Sequence, residues 1–299
     1  MNVKFDTGRI RNMDFAAFIK EIEDNKWNVY GVEVYEKGVL KHSYKDTTEN
    51  IYDIYSATKS IVSMAVGIVY DRGMIDFEKS ILQYLPNKYL DKMTEEQKKT
   101  FERITVRRLL TMSVPGLPFR PEGDDYLEFS LNCKIDDVEK REFNYSNICT
   151  YLVCVALTEI IGSDLGEFIE REIFEKLDIE KYEYKRSPEG YFYGASAAKL
   201  CVHDLSKLGL LMYDGGVYNG KRILSKDYVK MSTSIQQMNR EGGYGFYFWK
   251  YRGGFSINGK WKQKCYCLPD RGLVISFLSH IEDKSQDLIG SMEKYILNI

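Results

Sequence analysis

The sequence predicts an α/β (α+β) chain in which one sheet is assembled from both ends and a mostly helical lobe is inserted between them. Strand character is confined to residues 28–44 and to the stretch from 244 to 279. Helical patterns with loops fill the tract between, from about 75 to 235. The predicted division is therefore 1–74 with 236–299 as the sheet domain, and 75–235 as the lobe.

Each element follows from local pattern. Phe15, Phe18, Ile19 and Ile22 line one side of a helix near 14–24. Asn28 to Tyr35 alternates, turns at Lys37-Gly38 and returns through Val39 to Tyr44, which reads as a hairpin. Ile61, Met64, Ala65, Ile68 and Val69 then mark a helix running from Ser56 towards Gly73. Thr105 is placed as the N-cap of a short helix over Ile104–Leu110. An apolar helix follows Phe143-Asn144-Tyr145-Ser146-Asn147 and ends at Gly162. Further helices are expected over 165–176, 197–213 and 283–297. Late strands are expected over Tyr244–Tyr251, Trp261–Leu268 and Gly272–Ser279, with a turn at Asp270-Arg271-Gly272.

Composition narrows the function classes. The chain has 299 residues, 44% of them hydrophobic, with a net charge of −2 and both signs interspersed. Neither nucleic acid nor an anionic membrane is an expected partner. No apolar run has the length of a membrane span, and Met1 to Asp6 lacks a signal-peptide stretch, so a cytoplasmic location is expected. The six cysteines form no C-x-x-C pair and read as buried free thiols. Three histidines at unsuitable spacings give no metal site, and no cofactor is expected.

The chemistry centres on Asp53-Ile54-Tyr55-Ser56-Ala57-Thr58-Lys59-Ser60. On a helix, Ser56 and Lys59 share a face, so a hydroxyl nucleophile meets an amine that burial can strip of its proton. Two other S-x-x-K pairs exist, Ser196/Lys199 and Ser291/Lys294, and context favours the first. The mechanics of S-x-x-K serine enzymes then ask for a hydroxyl–amide pair and a glycine-bearing strand edge, in that order. Tyr145-Ser146-Asn147 and Gly259 meet that order, although Ser130-Leu131-Asn132 and Ser256-Ile257-Asn258 compete for the middle place. Tyr145 would relay a proton to the leaving group, its phenol acidified by a neighbouring ammonium. Asn147 would hold the substrate carbonyl or amide.

From about residue 28 to 280 the chain resembles the serine hydrolases that include class C β-lactamases, low-molecular-weight DD-peptidases, and related esterases and amide hydrolases. Tyr55 to Ser60 resembles the nucleophile box, and Phe143 to Asn147 the second box. Ile104 to Met112, Ile173 to Leu177, Asp204 to Gly209 and Gly220 to Ser225 resemble other family segments. The resemblance implies an antiparallel sheet flanked by helices, a helical lobe, and a site between them. At the third box the family carries Lys or His, any residue, then Gly; here the triplet is Ile257-Asn258-Gly259. The absent basic side chain argues against β-lactamase or DD-peptidase activity. Gly259 and the Lys260 amide would still serve substrate and oxyanion, because a backbone donor is indifferent to side chain. Lys260, Lys262 and Lys264 read more simply as a solvated strand face than as a carboxylate clamp.

The expectation is a serine hydrolase acting on a small ester, amide or β-lactam-like molecule through a Ser56 acyl-enzyme. Lys59 and Tyr145 are its acid–base groups, and the substrate-binding positions are Asn147, Gly259 and Lys260. Two rivals stand. One is a nucleophile elbow at Gly194-Ala195-Ser196-Ala197-Ala198 with Asp270 and His280. The other is a non-catalytic ligand-binding protein on the same fold.

Overall fold

A computed structural model describes residues 13–45 and 47–299; the opening residues that bear on a signal peptide lie outside that range. Six strands form the main sheet: β1 Val29–Glu36, β2 Val39–Tyr44, β3 Trp249–Tyr251, β4 Gly254–Gly259, β5 Gln263–Leu268 and β6 Leu273–Ser279. Their order is β2-β1-β6-β5-β4-β3, with every pairing antiparallel. The two ends of the chain meet where β1 pairs β6, Val32 opposite Phe277 and Val34 opposite Ile275.

Alternation along the strands sends side chains to two cores. Val32, Val34, Tyr266, Ile275 and Phe277 pack with Phe18 and Ile22 of the first helix, Phe15–Asp24, and with Leu288 and Met292 near the C-terminus. On the other face, Cys265, Cys267, Val274 and Leu278 join the larger core. The helix Val202–Tyr213 lies against β1, β5 and β6 on that face. The division into sheet domain and lobe stays a proposal; by sequence this helix belongs to the lobe.

The helix after Ser56 spans Thr58–Asp71, and every residue from Thr58 to Val69 is buried. An apolar stripe in sequence thus becomes a helix enclosed on all sides. Gly162 closes the helix Asn147–Ile161 with a φ of 66°, as its position in sequence predicts.

Three local expectations need correction. Only Trp249–Tyr251 of the predicted strand over Tyr244–Tyr251 joins the sheet. Tyr244, Phe246, Tyr247 and Phe248 fill the core from a loop in which Tyr247 has a φ of 65°. Aromatic density there reflects packing rather than a ladder. The last helix starts at Leu288, capped by Asp287, whose carboxylate accepts from the Gly290 N–H at 2.9 Å. The helix expected from 197 begins at Val202, because Lys199–Leu200 instead forms a short ladder with Tyr52–Asp53.

β3 covers β4 only as far as Ser256, which pairs with Trp249. Ile257, Asn258 and Gly259 therefore present a strand edge without a β3 neighbour, and that edge borders the Ser56 turn. The six cysteines are free and five of them are buried, as read from sequence. Among the described residues no single helix is long and apolar enough to cross a membrane.

Candidate active site

Ser56 sits at a backbone junction held from two sides. The Tyr52–Asp53 ladder leads in, and the Ile54 N–H donates to the Ala198 carbonyl at 2.9 Å. Tyr55 takes a φ of 48°, a left-handed setting that costs a bulky residue energy. The Thr58 hydroxyl donates to the Tyr55 carbonyl at 2.6 Å and accepts from the Ala198 N–H at 3.2 Å, which holds the turn. Ser56 itself lies in a single 3₁₀ turn, Tyr55–Ala57, rather than in the α-helix expected from sequence. The three-residue spacing to Lys59 survives because i and i+3 also face each other in 3₁₀ geometry.

Lys59 is buried, with 1% of its surface exposed, and its Nζ is surrounded by three oxygens. The Asn147 Oδ1 lies at 2.7 Å, the Ala195 carbonyl at 2.5 Å and the Ser56 Oγ at 3.3 Å. Burial lowers its pKa from 10.5 to about 7. Two acceptors can take the two N–H bonds of a neutral amine, which leaves its lone pair for the Ser56 hydroxyl to donate into.

Tyr145 is brought to the same place, but not as the sequence suggested. The Lys59 Nζ lies over the ring, 4.9 Å from its centroid. The phenol pKa is pushed up to about 12 by burial, with the Ser56 hydroxyl as a smaller opposing influence. The expected acidification by a neighbouring ammonium is overturned, because desolvation outweighs it and Tyr145 stays protonated at neutral pH. Asn147 opens its helix beside the N-cap Ser146, whose hydroxyl donates to the Pro118 carbonyl at 2.6 Å and accepts from the Ile148 N–H at 3.1 Å. The Asn147 amide also donates to the Tyr193 hydroxyl at 3.3 Å.

Gly259 ends β4 against the nucleophile turn. A Cβ placed there would lie 2.1 Å from the Ile54 carbonyl oxygen, so only glycine fits. Neither the Ser56 nor the Lys260 N–H donates to any loop or cap carbonyl among the described residues. The solvated-face reading of the three lysines holds for Lys260, which is exposed and stacks over Trp261 at 3.9 Å. It fails for Lys262 and Lys264, which are partly buried with depressed pKa values, that of Lys264 to about 8, mainly through desolvation.

The competing motifs do not assemble. Lys199 pairs with Glu183 at 2.6 Å, and the Ser291 hydroxyl donates to Glu21 at 3.1 Å. Ser130 bonds within its own helix to the Tyr126 carbonyl. Asp270 and His280 lie beyond opposite ends of β6, a seven-residue strand of roughly 20 Å. The elbow rival therefore has no triad.

Sequence reasoning missed the Ala195 carbonyl, since a backbone acceptor leaves no residue signature. It also missed Arg108, which is 4% exposed and donates to the Arg103, Ser113, Val138 and Lys140 carbonyls. That cation anchors the loop leading to Tyr145. Arg108→Met is expected to cost about 3 kcal/mol or more in denaturant unfolding, by leaving four carbonyls without their charged donor. Tyr145 is walled by Trp249 at 5.6 Å, Tyr244 at 6.3 Å and Phe119 at 6.4 Å between ring centroids.

This sheet, with a serine, a buried lysine and a tyrosine gathered at one open strand edge, defines a class of serine hydrolases. A family model described as beta-lactamase matches residues 22–290, and the chain belongs to the β-lactamase family. It is accordingly a hydrolase of the serine β-lactamase type. A 6-aminohexanoate-dimer hydrolase from Paenarthrobacter ureafaciens is 23% identical over 216 residues, 63% of this chain and 53% of the relative. The match thus spans about half the length of that relative. A penicillin binding protein from Bacillus halodurans superposes with a TM-score of 0.72 at 14% identity, covering 92% of this chain and 99% of the other. A penicillin-binding protein homolog from Caulobacter crescentus gives 0.70 at 13%, covering 93% and 94%. At such identities the two structures establish the fold alone.

Proposed function

We propose that this chain hydrolyses a small ester or amide through a covalent acyl-enzyme on Ser56. The observation that carries the reading is Lys59, sealed from water with two acceptors at 2.7 and 2.5 Å and its Nζ 3.3 Å from the Ser56 Oγ. In this reading Ser56 Oγ attacks the carbonyl carbon while Lys59 takes the hydroxyl proton. The Ser56 and Lys260 N–H groups receive the oxyanion. Tyr145 gives its proton to the leaving group, and the Lys59 ammonium restores the phenol. Water then attacks the ester carbon, giving one proton to Lys59; the Ser56 Oγ–carbon bond breaks, that proton returns to Oγ, and the acid leaves to solution.

The third box argues against β-lactams, since Ile257 is buried where a basic group would bind the substrate carboxylate. A relative named for the 6-aminohexanoate dimer supports a substrate outside the β-lactams. The expected result is p-nitrophenyl ester turnover and fluorophosphonate labelling, both abolished in Ser56→Ala, with little nitrocefin cleavage. A wild-type protein that takes no label would favour a binder on the same fold. Efficient nitrocefin cleavage would show that the third box has been misread.

The reaction should also follow the titration of Lys59. Only the neutral amine accepts a proton, so kcat/KM is expected to fall about tenfold per unit below pH 7 and to level off above it. A flat profile between pH 5 and 8 would remove Lys59 from the role of base.

A further inference from the structure

A cavity of about 290 Å³ opens beside the nucleophile turn, on the side of Tyr55. Lys59, Tyr145 and Asn147 are not among its lining residues. Its volume is close to the lower end of small-molecule sites. Three tyrosines contribute walls: Tyr30 and Tyr52, stacked on each other at 3.9 Å, and Tyr55, edge-on to Trp261 at 4.9 Å.

The acidic groups around the cavity exceed the basic ones by a small margin. Its basic residues already have partners, Lys199 in an ion pair with Glu183 at 2.6 Å and His280 in a hydrogen bond with Glu282 at 2.9 Å. Asp53 is the lining carboxylate; burial raises the phenol pKa values of Tyr30 and Tyr55, and the Asp53 charge adds to both, after Tyr52 in the case of Tyr30. Lys199 stands opposite Asp53 in the short ladder, so Asp53 and Glu183 share its one ammonium. Aromatic faces beside a carboxylate that holds only a share of one ammonium favour a cation whose body is apolar, because ring quadrupole and carboxylate act together while the alkyl groups leave water.

We propose that this cavity binds a small organic cation, of the alkylammonium class, seated between the tyrosines with its charge towards Asp53. The inference rests on the cavity and not on the catalytic reading of Ser56, so Ser56→Ala should bind as the wild type does.

Choline and tetramethylammonium are the probes, with 3,3-dimethylbutan-1-ol as a neutral analogue of choline's shape. Titration calorimetry of the full chain is expected to give saturable, millimolar or tighter binding of both cations and at least tenfold weaker binding of the alcohol. Asp53→Asn, at an exposed site where the fold is not at stake, should weaken choline at least fivefold. Tyr30→Leu should weaken it likewise, and fluorescence from Trp261, which touches Tyr55, should change on titration of the wild type. No saturation by 50 mM choline, equal binding of the alcohol, or an Asp53→Asn protein that binds like the wild type would each overturn the proposal.

Discussion

Lys59→Met is expected to leave a folded protein whose ester turnover falls about 10³-fold or more, since in the proposed mechanism it removes the base that takes the Ser56 proton. The same substitution should change how stability depends on pH. In the unfolded chain the amine titrates near 10.5, and in the folded protein near 7. Below pH 7 both states carry the ammonium, and the wild type bears the full cost of burying it. Between pH 7 and 10.5 folding releases a proton, so wild-type stability rises with pH. Above 10.5 the amine is neutral in both states and the cost is gone. Relative to Lys59→Met, the wild type should therefore gain on the order of 5 kcal/mol across that window. The methionine side chain leaves the Asn147 Oδ1 and Ala195 carbonyl without a donor, an offset that does not vary with pH. Urea unfolding of both proteins at pH 6, 8 and 10 measures the swing, and parallel curves would contradict a desolvated lysine.

Gly259→Ala is the second large effect. Its methyl group would fall 2.1 Å from the Ile54 oxygen and 2.9 Å from Gln263 Cβ, so strand or turn must move. Overpacking of this kind costs about 1–3 kcal/mol. The functional loss should be greater in proportion, because the displaced carbonyl lies two residues before Ser56. A shift of about 1 Å in a reacting group lowers the rate about 10²-fold. Thermal unfolding and kcat/KM measured together test this. A variant with wild-type activity and lowered stability would show that the edge of β4 does not position the turn.

The features behind Lys59→Met and Gly259→Ala differ in how far the sequence alone reveals them. The hairpin 28–44, the run ending at Ser279 and the turn at Gly272 were readable because alternation and turn chemistry are local. So were the Thr105 and Gly162 caps, which depend on one residue each. The strand over Tyr244–Tyr251 was misread because tertiary packing, and not the local pattern, determines what an aromatic run does. The phenol of Tyr145 was misjudged for a related reason: from sequence one sees which charges could be neighbours, but not how much water the fold removes.

What the chain's order of residues determined by itself is the set of parts: a serine three residues before a lysine, a Tyr-Ser-Asn turn opening an apolar helix, and a glycine on a late strand. Spacing along one helix or turn needs no tertiary information. Only the folded structure decided that Ser56, Lys59, Tyr145 and Asn147 meet, that Lys199 and Ser291 take other partners, Glu183 and Glu21, and that Ala195 supplies a carbonyl. Contacts between residues 88 and 136 positions apart, such as Lys59 with Asn147 and Ala195, depend on how helices and sheet pack. The same packing excludes the water that would otherwise keep the lysine charged.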